Sequence, residues 1–237
     1  MEKLNMGGVC AVILAAGSGS RMKADKTKQK MNIGSRTVLW RAVNAFEKSA
    51  EIESIVVVCR ADEVDYANSL LLPDFKKIVA ITAGGKTRAE SAKIGFAMRP
   101  NSSYYIAIHD SARCLITPED VDKVVKAARI YKAATAVLPV VDTIKVVDEF
   151  GYISSTLPRE NIRRAATPQI FAVDIYAAAL KEAEGRELEY TDDNMLVEAC
   201  GGKIMAVETS VDNIKITTSS DIEYAEYVLK KRGDENV

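Results

Sequence analysis

The sequence predicts an α/β fold, a mainly parallel sheet flanked by helices in the Rossmann-like manner. Short β-rich apolar runs alternate with helical patterns along most of the chain. Strands alternating with helices imply a mainly parallel sheet covered on both faces. Polar residues and glycines gather just after several of these runs, where open α/β sheets bind their ligands.

The first run, Val9–Leu14, opens into a loop of small residues, Ala15-Ala16-Gly17-Ser18-Gly19-Ser20. Five cations follow, Arg21, Lys23, Lys26, Lys28 and Lys30, against a single acid, Asp25. Small residues let backbone N–H groups approach an anion, and the cations neutralise it. The stretch suits a polyphosphate. It is not a dinucleotide fingerprint, because Met22 stands where the third glycine is needed, and no Gly-Lys-Ser/Thr follows at P-loop spacing.

The next helical pattern covers residues 37–48, with Leu39, Val43 and Phe46 at helical spacing. Strands are expected at 54–59 and 77–82, with helices at 62–71 and 87–98. The loop after residue 82 reads Ala83-Gly84-Gly85-Lys86-Thr87-Arg88-Ala89-Glu90-Ser91, which places Arg88 and Ser91 one turn apart on the helix it opens. A strand at 104–109 ends in His109-Asp110-Ser111-Ala112-Arg113. Asp110 beside a phosphate site suits a Mg²⁺ ligand; the alternative is a turn cap or a pair with Arg113. His109 reads as a hydrogen-bonded structural residue rather than a general base. Thr117-Pro118-Glu119-Asp120 starts a helix to about 132 with a hydroxyl cap, Pro at the first position and acids at the positive end.

After a strand at 134–140 the pattern breaks. Residues 142–158 alternate and turn near Phe150-Gly151, a β-hairpin that projects as an arm, with 142–166 as its span. Two-stranded ribbons are marginal alone, so the arm is expected to build a homodimer. A short strand at 168–172, helices at 173–184 and 192–200, strands at 203–208 and 213–216 and a helix at 219–232 complete the chain. Thr191-Asp192-Asp193 caps the second of these helices, and Ser219-Ser220-Asp221 caps the last. Lys215 lies in an apolar strand pattern, either snorkelling to solvent or touching substrate.

Composition sets bounds. The 237 residues, 48% hydrophobic, are expected to form a single domain (1–237) with a sizeable core. The net charge of −1 and the absence of aromatics among the basic residues argue against nucleic-acid binding. Without a long apolar run or a signal-peptide pattern, the chain reads as soluble and cytoplasmic, with no membrane partner. Of the four cysteines, Cys10, Cys59, Cys114 and Cys200, none forms a C-x-x-C pair. Cys10 and Cys59 read as reduced core thiols, and Cys114, after a polar segment, as accessible.

These segments together resemble the 2-C-methyl-D-erythritol 4-phosphate cytidylyltransferase family over nearly the whole length. The likeness rests on LAAGSGSRM (14–22), KQ (28–29), GGKTRAES (84–91), HDSAR (109–113), DTIK (142–145), Arg159 with TPQIF (167–171), TDD (191–193) and DNIKIT (212–217). It implies a nucleotidyltransferase fold, an arm-built homodimer, and CTP with Mg²⁺. It implies Arg21, Lys28 and Lys215 as catalytic cations. Ala15, Ala16, Gly17, Gly84, Gly85 and Ser91 would hold base and ribose, with Arg88 supporting their loop. Asp110 would serve the metal and the sugar phosphate. Arg113, Thr143, Arg159, Thr167 and Thr191 would complete the methylerythritol phosphate site, some from the partner's arm. The chain departs from the pattern at Thr27 (usually Pro), Lys30 (an aromatic), Ser111 and Cys114 (Ala and Pro), Arg163 and Ala166 (Trp and Gln) and Asn194 (a small residue). The rivals are the same transfer onto ribitol 5-phosphate and a non-catalytic CTP sensor. The first loop here is Ala-Ala-Gly rather than Ala-Gly-Gly, and Asp110-Ser111-Ala112-Arg113 replaces Asp-Ala-Val-Arg, which favours methylerythritol phosphate.

Overall fold

The computed structural model describes residues 7–17, 27–186 and 190–234. In chain order its elements are β1 (Gly8–Ala15), β2 (Asn32–Ile33), β3 (Arg36–Thr37), α1 (Val38–Lys48), β4 (Ser54–Cys59), α2 (Val64–Leu71), β5 (Ile78–Ala83), α3 (Arg88–Ala97), β6 (Ser103–Asp110) and α4 (Pro118–Tyr131). Then come β7 (Ala133–Pro139), β8 (Lys145–Val147), β9 (Ile153–Thr156), β10 (Arg163–Ala172), α5 (Val173–Arg186), α6 (Asp193–Ala199), β11 (Met205–Glu208) and α7 (Ser219–Lys231). Short 3-10 turns lie at Lys28–Lys30, Ala61–Glu63 and Arg159–Asn161.

A seven-stranded sheet in the order β11-β7-β10-β6-β1-β4-β5 forms the centre. Its neighbours are parallel except β10, which runs antiparallel to both β6 and β7. All eight residues of β1 are buried because the sheet is covered on both faces. Val9, Ala11, Ile13 and Ala15 face a core shared with α1, α4 and α7, while Cys10, Val12 and Leu14 face one shared with α3, α5 and α6. Helix α3 lies hard against the sheet at Gly95, where a Cβ would fall 2.3 Å from Val12 Cγ1. From β1 the chain steps outward to β4 and β5 on one side and then returns to β6 on the other. That reversal opens a crevice at the carboxyl ends of β1 and β6.

Three expectations change. Residues 213–216 form no strand; Asn213 to Thr217 is an irregular strap. Its backbone is tied instead by scattered bonds: Arg113 Nη1 donates to Asn213 O (2.8 Å), Lys28 Nζ to Ile216 O (3.4 Å) and Ile216 N–H to Ala112 O (2.8 Å), which form no ladder with a neighbouring strand. The strand expected at 168–172 begins at Arg163, since Arg163–Ala165 already pair with β7; the arm therefore merges into the main sheet before residue 166. The cap of α7 is Thr218, in a capping box with Asp221, rather than Ser219.

The hairpin is present as β8 and β9, a separate two-stranded sheet with every residue exposed. Among the described residues no helix is long and apolar enough to cross a membrane.

Candidate active site

A cleft of about 380 Å³ opens where β1, β5 and β6 end. Its walls include Ala16 and Gly17 after β1, Lys28 and Gln29 on the first 3-10 turn, Gly85 to Arg88 and Ser91 after β5, Asp110 to Ala112 after β6, and Lys215 on the strap. Thus Ala16, Gly17, Lys28, Gly85, Arg88, Ser91, Asp110 and Lys215 from the sequence-based set converge. Arg21 lies outside the described residues.

The loop after β5 depends on close approach. A Cβ on Gly84 would sit 2.6 Å from Ser91 Oγ and 2.8 Å from Ala16 Cβ, so only glycine lets the two loops touch. Ser91 Oγ accepts from Gly85 N–H (3.2 Å) and donates to Thr87 O (2.9 Å), which locks the loop to the first turn of α3. Thr87 caps that helix by accepting from Glu90 N–H.

Charge is organised around Asp110. Arg88 Nε meets its Oδ1 at 3.1 Å and Lys215 Nζ its Oδ2 at 2.7 Å, so its partners are these two cations and not Arg113. Burial alone would raise its pKa, but Arg88 and then Lys215 outweigh that and hold the carboxyl well below the usual carboxylate range. Arg88 also reaches Asp193 Oδ2 (2.7 Å), a fully buried carboxylate that accepts from Tyr176 OH (2.6 Å). Burial pushes Asp193 up, against the pull of Arg88 and of the Tyr176 hydroxyl. Of the Thr191-Asp192-Asp193 segment expected to cap the helix, Asp192 does that work, accepting from Met195 N–H, while Asp193 anchors Arg88. Asp193 and Gln29, whose Nε2 donates to Gly17 O (3.3 Å), are the site residues whose roles the sequence reading missed. Both sit inside motifs already noted, TDD and KQ.

Other expected residues stand back from the cleft. Ala15 is buried in the core behind Ala16. Gly84 shapes the loop from behind. Arg113 points away and pins Asn213 O and Ala165 O. Thr167 is buried, its Oγ1 accepting from Asp110 N–H (3.1 Å) and meeting His109 Nδ1 (3.0 Å). Thr143 and Arg159 are exposed at the base of the arm, and Thr191 is exposed before α6. Ala166 is buried and Arg163 bonds to local carbonyls, so neither departure faces the cleft.

His109 is structural, as expected. It is fully buried against Phe46, and burial pushes its pKa down to about 3. Its Nε2 lies 3.3 Å from Arg113 O, which fixes the neutral tautomer protonated there. Cys10 and Cys59 are free and buried. Cys114 is not accessible: it is buried, and burial raises its thiol to about 12.

Residues 9–231 match the family model described as 2-C-methyl-D-erythritol 4-phosphate cytidylyltransferase. A protein of that name from Desulforamulus reducens is 37% identical, with 96% of this chain and 98% of the relative covered. Another from Caldanaerobacter subterraneus subsp. tengcongensis is 38% identical over 94% of this chain and 99% of its own length. Among solved structures, the 4-diphosphocytidyl-2C-methyl-D-erythritol synthase of Anaerococcus prevotii superposes with a TM-score of 0.86 at 29% identity, covering 96% of this chain and 98% of that one.

Proposed function

The chain belongs to the 2-C-methyl-D-erythritol 4-phosphate cytidylyltransferase family, and from that premise we infer the work of each cleft residue. The reaction joins CTP and 2-C-methyl-D-erythritol 4-phosphate into 4-diphosphocytidyl-2-C-methyl-D-erythritol and pyrophosphate, a step of isoprenoid precursor biosynthesis. A phosphate oxygen of the acceptor attacks the α-phosphorus of CTP in line, and pyrophosphate leaves. A phosphate monoester is already ionised at neutral pH, so no general base is required. Catalysis then rests on alignment and on charge stabilisation.

The observation that carries this reading is that two lysines far apart in sequence, Lys28 and Lys215, line one cleft, with Lys28 Nζ donating to the carbonyl of Ile216 (3.4 Å) beside Lys215. Lys28 and Lys215, which line the cleft, meet the phosphates and stabilise the charge that develops on them, and the resemblance adds Arg21 to this role. Ala16, Gly17, Gly85 and Ser91 receive base and ribose, backed by Ala15 and Gly84. Arg88 keeps Asp110 in place, and Thr167 holds Asp110 by its backbone.

Asp110 is the one carboxylate lining the cleft among the described residues. A single carboxylate completed by phosphate oxygens is a donor set that fits Mg²⁺, and Asp110 would hold it. When bound, the ion would neutralise the triphosphate and favour departure of pyrophosphate. Thr143 and Arg159, exposed on the arm, reach a cleft only in a homodimer, where they and Thr191 bind the methylerythritol phosphate.

The test is pyrophosphate release with CTP and Mg²⁺, in parallel with methylerythritol 4-phosphate, ribitol 5-phosphate and no acceptor. Release with methylerythritol phosphate alone is expected. Release only with ribitol phosphate moves the acceptor assignment, and CTP binding without release points to a different acceptor or to a sensor.

A further inference from the structure

Lys28 enters the cleft on a single 3-10 turn, closed by Lys30 N–H to Thr27 O (3.0 Å) and Met31 N–H to Lys28 O (3.1 Å). A turn this short has little stability of its own. Yet it must hold a buried lysine and a buried glutamine in register with the loop after β1. On its inner side, Gln29 reaches Gly17 O and Lys28 reaches Ile216 O.

Its outer side is held by one carboxylate. Glu63, from the 3-10 turn after β4, is buried and lies outside the cleft lining. It accepts from Thr27 Oγ1 at 2.7 Å and pairs with Lys30 Nζ at 3.2 Å. The Lys30 ammonium also lies 4.7 Å over the Tyr66 ring on α2. The residues just before and just after Lys28-Gln29 are therefore tied to the same acid. Charge-assisted bonds of this kind are about twice as strong as neutral ones. A buried carboxylate is expensive to maintain, and fixing one local conformation is a role that explains its presence.

We propose that Glu63 is a positioning residue for nucleotidyl transfer, aiming Lys28 at the phosphates by holding Thr27 and Lys30. The inference rests on the role given to Lys28 above.

The experiment is steady-state pyrophosphate release with CTP, Mg²⁺ and methylerythritol 4-phosphate for the wild type, Glu63→Gln, Lys28→Ala and the double variant. Misplacing a catalytic group by about 1 Å costs up to ~10²-fold, so Glu63→Gln is expected to lower kcat about tenfold or more. In the Lys28→Ala background it should lower kcat no further than about twofold, because Glu63 then has no lysine to aim. Amide hydrogen exchange at Lys30 and Met31 should rise in Glu63→Gln. Thr27 has φ −64°, the value proline imposes, so adding Thr27→Pro should restore most of the lost turnover by stiffening the turn directly. Should Glu63→Gln fold poorly, Thr27→Val removes one tether alone and should give a smaller loss of the same kind, about threefold.

Wild-type turnover in a folded Glu63→Gln, with Lys28→Ala impaired, overturns the proposal and leaves the reaction assignment intact. A Glu63→Gln loss that persists in full without Lys28 also overturns it. Wild-type turnover in Lys28→Ala overturns the role of Lys28 itself, and this inference with it.

Discussion

At the scale of single residues, the cleft separates groups that meet substrate from groups that hold them. Lys28 is mostly buried and lines the cleft, so its charge acts in a poorly screened setting. Lys28→Ala is expected to lower kcat by about 10²–10³, roughly 3–4 kcal/mol of transition-state stabilisation. Near wild-type pyrophosphate release in that variant would remove the lysine from the mechanism. His109 does different work. Its folded pKa of about 3 lies below the ordinary value of 6.5, so between those limits the unfolded chain binds a proton that the fold excludes. Stability is then fully present above about pH 6.5 and is lost as pH falls toward 3. Asp110, held below its ordinary range, adds a loss of the same sign on the acid side. His109→Gln should therefore lose less stability than the wild type between pH 7.5 and pH 4.5, as read by urea denaturation at each pH. Parallel curves would show that His109 does not set the slope.

At the scale of elements, the strap from Asn213 to Thr217 is the least autonomous part of the site, and it carries Lys215. It is held by Arg113 on Asn213 O, by Asn213 Nδ2 on Thr167 O (3.0 Å) and by Ile216 N–H on Ala112 O (2.8 Å). Arg113→Ala should loosen it, lowering kcat between tenfold and a hundredfold through Lys215 and speeding exchange of the Ile216 amide. Full activity with unchanged exchange would show that the other ties suffice. The strap also marks where the sequence stopped being legible. Val9–Leu14 and residues 54–59 read as strands because burial on both faces leaves a continuous apolar record. Ile214 and Ile216 around Lys215 leave the same kind of record. What the local record does not show is that the segment is held by side chains and loops distant in sequence, such as Arg113, 100 residues away, on the Asn213 carbonyl, rather than by a strand ladder. The cleft loops after β1, β5 and β6 were legible for the opposite reason: glycines and cations that no core requires stand out locally. Asp193 was not legible as the anchor of Arg88, since a helix-start acid looks the same whether it caps or is buried.

At the scale of the molecule, the arm is the feature one protomer leaves unexplained. Its two strands bond only to each other, while Phe150 is 77% exposed, Tyr152 73% and Ile153 63%. A lone hairpin is marginal in water, and each such side chain gains roughly 1.5–3 kcal/mol on full burial. An exposed apolar cluster of this kind marks an interaction surface, and the proposed homodimer supplies the cover. It also accounts for Thr143 and Arg159, which stand at the arm's base away from their own cleft. One chain is 25.8 kDa, and sedimentation of the wild type should return twice that mass. Phe150→Ser with Tyr152→Ser should shift the protein to single chains without unfolding the central sheet, because neither residue touches its core. If the arm serves the partner's cleft, the monomeric form should show a raised KM for methylerythritol 4-phosphate and a nearly unchanged affinity for CTP, whose proposed contacts all come from within one chain. A monomer with wild-type KM for the acceptor would confine Thr143 and Arg159 to a structural part. A wild type that sediments as a single chain would remove the dimer altogether and leave the arm's apolar residues awaiting a different partner.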